Sequence, residues 1–247
     1  MYTGSLIVLA LSAASMVSAH GKVTVVTGDA GGNGTALGIK GASVATFGTN
    51  SATEKDTTVF SGSASKPLTD GLGKTAANGK ITVSDLAAAM TASGSTLPQV
   101  SASGGSINGT WRIVTSDGTA NDKSGTLFAV VDSTGTGAYS KGTQLTATTS
   151  MVGNNGNVVQ RAITRSLRAI GIQRRATNVG ADTSFSVKIP AGTTCTGSDS
   201  TSGASNFCLL KVVNNNNNGP FGGNIAFQIA GASTSNTTAK REESFKA

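Results

Sequence analysis

Short apolar runs separated by turn-forming residues are the dominant pattern along this chain. Runs of Val, Ile, Leu and Phe that alternate with polar residues, or stay apolar over a short stretch, are typical of β-strands. The predicted strands comprise residues 20–28, 57–60, 97–100, 105–114, 126–131, 144–151, 184–189, 208–213 and 225–229. We therefore expect a mainly β protein, folded as a single immunoglobulin-like β-sandwich with one short helix and long loops.

The helix is predicted over residues 85–91, with Ser84 as its N-cap and Gly94 after its end. The glycine-rich sequence from Asp29 to Gly34 is predicted to be a tight turn, because no phosphate-binding lysine or helix follows it. Residues 158–172 show some helical periodicity, which leaves either a loop or a short amphipathic helix on the surface.

The first 19 residues have the pattern of a secretory signal peptide. They carry no charged side chain, contain an apolar core and end in the small residues Val17-Ser18-Ala19, with cleavage expected after Ala19. Residues 20–232 then form the predicted β domain, and the polar residues 233–247 form a predicted disordered tail. We expect a secreted protein, extracellular or associated with the cell wall, without a transmembrane anchor or a GPI-type tail.

Composition and charge limit the classes of function that this protein can have. Aromatic residues make up 4% of the chain and charged residues 13%, which is typical of an extracellular β-rich protein rather than a cytosolic α/β enzyme. Five arginines lie in one stretch without acidic or aromatic residues and supply most of the net charge of +7. Nucleic-acid binding is disfavoured because aromatic residues are missing there, whereas docking on anionic wall polymers fits. These arginines are Arg161, Arg165, Arg168, Arg174 and Arg175.

Several covalent modifications of an extracellular protein are predicted. The two cysteines, Cys195 and Cys208, are too far apart for a redox C-x-x-C motif and are expected to form one structural disulfide. Three Asn-x-Ser/Thr sequences are candidate N-glycosylation sites, at Asn33, Asn108 and Asn236. Two dibasic pairs are candidate sites for processing proteases, at Arg174-Arg175 and Lys240-Arg241.

His20 is the one histidine of the chain and becomes the mature N-terminus if the signal peptide is removed. Its α-amine and imidazole could then chelate a copper ion, as at the termini of secreted copper monooxygenases. A copper brace needs a second imidazole, however, which this chain does not contain. A serine–histidine–aspartate triad is disfavoured for the same reason. Asp117, Asp122 and Asp132 lie in predicted turns, where aspartate usually caps the backbone.

Six short segments, taken together and in order, resemble the Egh16-like family of secreted fungal virulence proteins, especially its appressorium-associated cell-surface members. The resemblance covers residues 20–232. It implies secretion during host penetration and a contribution to virulence. The segments begin at His20 (HGKV), Thr27 (TGDAGGNG), Leu97 (LPQV), Val114 (VTSDG), Cys195 (CTG) and Gly219 (GPFGG).

The resemblance also bears on copper. Some relatives carry a histidine in the strand that here contains Trp111 and Arg112, and those relatives look like copper monooxygenases. Arg112 stands at the position of that histidine, and a guanidinium does not ligate copper.

The leading hypothesis is therefore a non-catalytic surface and virulence protein, expected to be a monomer. It would bind a wall or host-surface polysaccharide, or a host protein, through His20, Trp111 and Arg112 if the terminus and that strand meet. Arg161, Arg165 and Arg168 would add contacts to anionic polymers. The alternative is a degenerate copper-dependent polysaccharide oxidase that uses His20. A third hypothesis is a protease inhibitor or an effector that a host protein recognises.

Overall fold

The computed structural model describes residues 21–40, 55–62, 68–114, 127–149, 182–214 and 220–231. Two of the predicted segments lie outside these residues, namely the signal peptide and the C-terminal tail. The arginine-rich stretch, which contains Arg161, Arg165, Arg168, Arg174 and Arg175, lies outside them as well. In the described part of the chain, no helix has the length and apolar character needed to cross a membrane.

Thirteen strands and one α-helix make up the regular structure of the described residues. The strands are β1 (Gly21–Gly28), β2 (Gly31–Gly34), β3 (Thr58–Val59), β4 (Lys74–Thr75), β5 (Gly79–Lys80), β6 (Gln99–Val100), β7 (Gly105–Ile113), β8 (Leu127–Asp132), β9 (Thr143–Thr149), β10 (Asp182–Ile189), β11 (Gly197–Asp199), β12 (Ala204–Asn214) and β13 (Phe221–Ile229). The helix α1 is Leu86–Ala92. Two short 3₁₀ helices are Val83–Asp85 and Tyr139–Lys141.

All thirteen strands belong to one hydrogen-bonded sheet with the order β2-β1-β7-β10-β9-β8-β12-β13-β3-β4-β5. β11 pairs with β12, and β6 pairs with β13 in the one parallel contact among these strands. The mainly β class with one short helix is confirmed. The immunoglobulin-like sandwich is not confirmed, because the ladder runs on from β9 through β8 to β12 without the break that separates two sheets.

The main core lies inside the curve of this sheet. Strand side chains alternate between two faces, so every second residue of β7 points inward: Ile107, Trp111 and Ile113 are all buried. Inward residues of β1, β8, β9, β10, β12 and β13 join them in a single cluster. Because β1 also packs against β13, two strands far apart in the sheet order, the sheet bends around its own core.

A second core covers the opposite face of β8, β12 and β13. Leu86 and Ala89 of α1 pack there together with Leu37, Leu72 and Ile81 from the connecting segments. This outer layer explains why β12 and β13 are almost completely buried on both faces.

The start of the helical segment differs from the prediction by one short element. Residues Val83–Asp85 form a 3₁₀ turn before α1. Thr82 is the N-cap of this turn and Asp85 is the N-cap of α1, so Ser84 caps neither. The Asp85 carboxylate accepts hydrogen bonds from the Thr82 backbone N–H at 2.7 Å and from its hydroxyl at 3.2 Å. Such a reciprocal capping box needs an acceptor three residues after the cap, and Asp85 provides it for Thr82. α1 ends at Ala92, and Gly94 follows with φ +88.

The glycine-rich turn contains a strand that the sequence did not predict. Residues 31–34 form β2, which pairs with β1 in a hairpin. Gly31 and Gly32 have φ values of +100 and +71, which confirms that the turn needs glycine for its backbone conformation.

Asp132 confirms its predicted role as a turn cap. It is buried at the end of β8, and its two carboxylate oxygens accept hydrogen bonds from the backbone of Thr134, Thr136, Gly137 and Ala138. Burial by itself would raise the pKa of this carboxyl, but the hydrogen bonds outweigh it and hold the pKa below its ordinary value.

Candidate functional site

The start of β1 lies beside the end of β7, where Trp111 and Arg112 are located. In the antiparallel register, Gly21 pairs with Ile113, Lys22 with Arg112 and Val23 with Trp111. His20 itself lies outside the described residues. His20 directly precedes Gly21 in the chain. The structure therefore places the first described residue of the β domain beside β7, the strand that was predicted to meet the terminus. We call the charged residues around this pairing, Lys22, Asp56, Arg112 and Asp182, the β1 charge cluster.

Trp111 lies on the inner face of β7 and has no exposed surface. A Cβ atom added at Gly21 would lie 2.3 Å from the indole ring, so the ring packs directly beneath the Gly21 backbone. This corrects the expectation that Trp111 offers a surface to a ligand. Its ring fills the core because residues that alternate with the exposed side chains of β7 point inward.

Arg112 lies on the opposite face of β7 and is held by a carboxylate on the next strand. Its Nε and one terminal nitrogen each donate a hydrogen bond of 2.8 Å to Asp182, in the two-pronged geometry that arginine forms with carboxylates. Asp182 is directly opposite Arg112 in the register of β10 and β7. The hydrogen bond from Arg112 lowers the pKa of the Asp182 carboxyl, and the nearby charge of Lys22 lowers it further.

Lys22 forms the buried half of the cluster. Its ammonium donates to Asp56 at 2.9 Å, and the two side chains are only 2% and 1% exposed. The other oxygen of Asp56 accepts the backbone N–H of Lys40 at 2.9 Å. Removing either partner of such a pair would leave an uncompensated charge in the interior, so the pair ties the segment around Asp56 to β1.

Sequence reasoning selected Arg112 but missed Lys22, Asp56 and Asp182. Asp56 lies 34 positions from Lys22 along the chain, and Asp182 lies 70 positions from Arg112. No local sequence pattern therefore connects these partners. A lysine within the otherwise apolar start of β1 was the one indication available at Lys22.

The β1 charge cluster does not fit a copper site. Ammonium and guanidinium groups carry no lone pair for a metal, and two of the four side chains are of this kind. Both carboxylates are already used in ion pairs with these cations. The residues that the structure describes contain no group of three histidine, cysteine or acidic side chains arranged to hold a metal ion.

A second polar cluster lies in the outer layer around Lys211 of β12. The Lys211 ammonium donates to the Thr69 carbonyl at 2.8 Å and lies 4.6 Å from the centre of the Phe60 ring and 5.0 Å from that of Tyr139. The Tyr139 hydroxyl in turn donates to the Asn224 side chain at 2.8 Å. Burial lowers the pKa of Lys211 to about 8, although the charge of Asp70 acts in the opposite direction. The side chain is 1% exposed, so this cluster belongs to the interior rather than to a docking surface.

The other predicted residues fall into two groups. Cys195 and Cys208 form the predicted disulfide, and Asn33 and Asn108 are both exposed. The remaining candidates lie outside the described residues, namely Ala19, His20, Arg161, Arg165, Arg168, Arg174, Arg175, Asn236, Lys240 and Arg241.

Comparison with known proteins agrees with the resemblance noted from the sequence. The sequence model of the family described as Egh16-like virulence factor matches residues 18–222. The chain is also 31% identical, over 231 residues, to the appressoria-specific virulence factor GAS1 of Pyricularia oryzae. That alignment covers 93% of this chain and 80% of the relative. No solved structure matches the chain significantly.

Proposed function

Because this chain belongs to the Egh16-like virulence factor family, we propose that it is a secreted, non-catalytic protein of the fungal infection apparatus. It acts outside the cell at the appressorium, where it binds polysaccharide of the fungal wall or the host surface. The name of its relative, an appressoria-specific virulence factor, supports the setting. The binding role rests on the arrangement of charges around β1 and on the arginine-rich stretch.

The observation that carries the non-catalytic assignment is the pairing within the β1 charge cluster. Arg112 is bound through two hydrogen bonds to Asp182, and Lys22 is buried against Asp56. A general acid or base must exchange a proton near the working pH. The pKa of Asp182 is held below its ordinary value, and a guanidinium does not deprotonate in a protein. This pair therefore supplies fixed charges and hydrogen-bond donors rather than a proton-transfer group.

Binding combines this fixed end of the sheet with the positive stretch that includes Arg161, Arg165 and Arg168. Arg112 and Asp182 are 36% and 44% exposed, so a ligand at the surface can contact both side chains. The arginines add a positive field that attracts anionic polymers and weakens as salt increases.

The test is co-sedimentation of the secreted protein with insoluble wall material from the fungus and from a host plant. Replacement of Arg161, Arg165 and Arg168 by Gln should reduce binding in low salt and remove most of its salt dependence. The matched control replaces Lys74, Lys80 and Lys141, which are exposed, by Gln and removes the same charge. Equal losses in both variants would mean that net charge, and not this stretch, drives binding.

The non-catalytic part of the proposal has a separate test. Protein whose N-terminus is confirmed as His20 by mass spectrometry is incubated with wall polysaccharides, copper and a reductant. We expect no oxidised or hydrolysed product above the level of a His20→Ala control. A product that requires His20 would overturn the non-catalytic assignment, and tight one-to-one copper binding in calorimetry would point to ligands beyond the β1 charge cluster.

A further inference from the structure

Two of the Asn-x-Thr sequences lie in a single row across the sheet. Asn33 of β2 pairs with Thr27 of β1, and the same Thr27 pairs on its other side with Asn108 of β7. The row continues through Ser186 of β10 to Thr148 of β9. Residues that face each other in an antiparallel pair project from the same face of the sheet, so these five side chains share one face. We call it the Asn33–Asn108 face.

The neighbouring row confirms which way this face points. One position along the strands, Val26 of β1 pairs with Gly34 and Gly109, and Gly109 pairs with Phe185. Val26 and Phe185 are buried in the main core. Because side chains alternate along a strand, the row of Asn33, Thr27 and Asn108 points away from the core, and all three residues are exposed.

We propose that Asn33 and Asn108 both carry N-linked glycans and that the two glycans together cover the Asn33–Asn108 face. Neighbouring strands lie about 4.8 Å apart, so two strand spacings place the two attachment points about 10 Å from each other. The sequence alone does not show that the two asparagines lie close together on one face, because 74 residues separate them. The proposal rests on the proposed secretion, since the glycosylation machinery acts in the secretory pathway.

The attachment requires no change in the fold at either asparagine. Asn33 is held through its backbone, whose N–H donates to the Thr96 hydroxyl and whose carbonyl accepts from it, each at 3.2 Å. The Asn108 side chain donates one hydrogen bond of 3.3 Å to the Ser106 hydroxyl on the same face. A glycan replaces only one of the two Nδ2 hydrogens, so this amide keeps a donor.

The chemistry is a group transfer from a lipid-diphosphate-linked oligosaccharide. The asparagine Nδ2 forms a bond to the anomeric carbon of the first sugar, and the bond from that carbon to the diphosphate oxygen breaks. The lipid diphosphate is the leaving group, and Nδ2 loses one proton to the surrounding water. No oxidation or reduction takes place.

The consequence is a division of the surface. Two glycans on one face exclude macromolecules from the Ser and Thr residues between and beside them, such as Thr27 and Ser186. The ligand of the proposed function must then bind beside the glycans. It can do so at the arginine-rich stretch or at Arg112, which projects from the same side of β7 as Asn108 but lies four positions further along the strand.

The first measurement is glycopeptide mass spectrometry on the protein recovered from the culture medium of a secreting fungal or yeast host. We expect glycans on both Asn33 and Asn108, each lost in the corresponding Asn→Gln variant. Occupancy of the predicted site at Asn236 serves as the positive control, because it shows that the glycosylation machinery has acted on the protein. Secreted protein with Asn236 occupied but Asn33 or Asn108 empty would overturn the paired-glycan proposal and leave secretion intact. A chain that stays inside the cell and carries no glycan at any of the three sites would overturn secretion, and the glycans with it.

The second measurement tests whether the glycans cover the face. A Thr27→Cys variant places a thiol between the two attachment points, and its labelling by a polymer-linked maleimide is timed before and after enzymatic removal of the glycans. We expect labelling to become several-fold faster after removal, with intermediate rates in the Asn33→Gln and Asn108→Gln backgrounds. The control thiol is Ala88→Cys, on the exposed side of α1, which should label at the same rate throughout. An unchanged rate at Thr27→Cys would show that the face stays open.

Discussion

Lys22 and Lys211 both extend from strands into the interior, and their surroundings satisfy them differently. Lys22 meets a carboxylate, Asp56, which neutralises its charge at 2.9 Å. Lys211 has the Thr69 carbonyl and the faces of two aromatic rings within reach, and these stabilise a cation less than an opposite charge does. Burial accordingly lowers the pKa of Lys211 to about 8.

Because of Lys211, we expect the stability of the protein to change with pH in the alkaline range. Between about pH 8 and the ordinary lysine value of 10.5, the unfolded chain holds a proton that the folded chain has released. The free energy of unfolding therefore rises with pH across this window, by up to about 3 kcal/mol for the full shift. Below pH 8 both states are protonated and this contribution stays flat. Urea unfolding at pH 7, 8.5 and 9.5 measures the rise below the range in which Tyr139, whose pKa burial raises above its ordinary value of 10, makes the stability fall with pH.

A Lys211→Met variant keeps a long side chain without the charge and should lose this rise. The matched control is Lys188→Met, which removes an exposed lysine from β10 and should leave the pH dependence of the wild type unchanged. If the wild type and Lys211→Met follow parallel curves between pH 7 and 9.5, Lys211 is not the group responsible.

The backbone of Gly21 packs directly against the Trp111 ring at the start of β1. A methyl group at position 21 would overlap the indole ring, which is fixed in the core, so Gly21→Ala should destabilise the protein by about 1–3 kcal/mol. Trp111→Phe removes part of the ring that the methyl group would meet. The double variant should therefore lose less stability than the sum of the two single variants, as measured by urea unfolding followed by circular dichroism. If the stability losses of the two single variants simply add, the cost of Gly21→Ala does not come from overlap with the indole ring.

At the scale of elements, the long strands were predictable and the short ones were not. β1, β7, β8 and β10 carry enough Val, Ile, Leu and Phe for their period to emerge from the sequence. β2 consists of Gly-Gly-Asn-Gly, and β4, β5 and β11 have two or three mostly polar residues, so no apolar pattern marks them. They become strands because a longer neighbour offers its edge, which is a tertiary effect.

The same limit applies to how elements combine. The inner and outer faces of β12 and β13 are both buried, and the sequence showed only that these strands are apolar. Apolar runs of this kind occur in a sandwich as well as in a sheet covered by a further layer. For a related reason, the sequence predicted one of the four residues of the β1 charge cluster. Arg112 was selected by resemblance, whereas Asp182 reaches it only through strand pairing.

The disulfide fastens the hairpin of β11 and β12 to the segment that precedes it. Cys195 and Cys208 are separated by 13 positions, and closing a loop of this size stabilises a folded protein by about 3 kcal/mol. The double variant Cys195→Ala with Cys208→Ala should unfold at a correspondingly lower urea concentration. Cys208 is fully buried, so part of this loss would come from missing side-chain volume. Wild-type protein under reducing conditions separates the two contributions, and equal stability of its reduced and oxidised forms would contradict the prediction.

At the scale of the whole molecule, β8, β12 and β13 connect two cores that share no side chains. Leu210 of β12 points into the main core, and its neighbour Leu209 points into the outer one. A strand cannot lose its packing on one face while keeping its position for the other. The outer layer with α1 should therefore unfold together with the sheet rather than as a separate appendage.

A substitution at Leu86 in the outer core tests this coupling. The one tryptophan of the chain, Trp111, lies in the main core, so its fluorescence reports on that core separately. Leu86 of α1 is 1% exposed in the outer core, and Leu86→Ala should cost about 2–5 kcal/mol. If the two cores unfold as one unit, Trp111 fluorescence and far-ultraviolet circular dichroism shift to the same lower urea midpoint. Ala88→Ser, on the exposed side of the same helix, should leave both midpoints nearly unchanged. A Trp111 transition that stays at the wild-type midpoint in Leu86→Ala would mean that the main core folds independently, since a coupled sheet transmits the loss through β12 and β13.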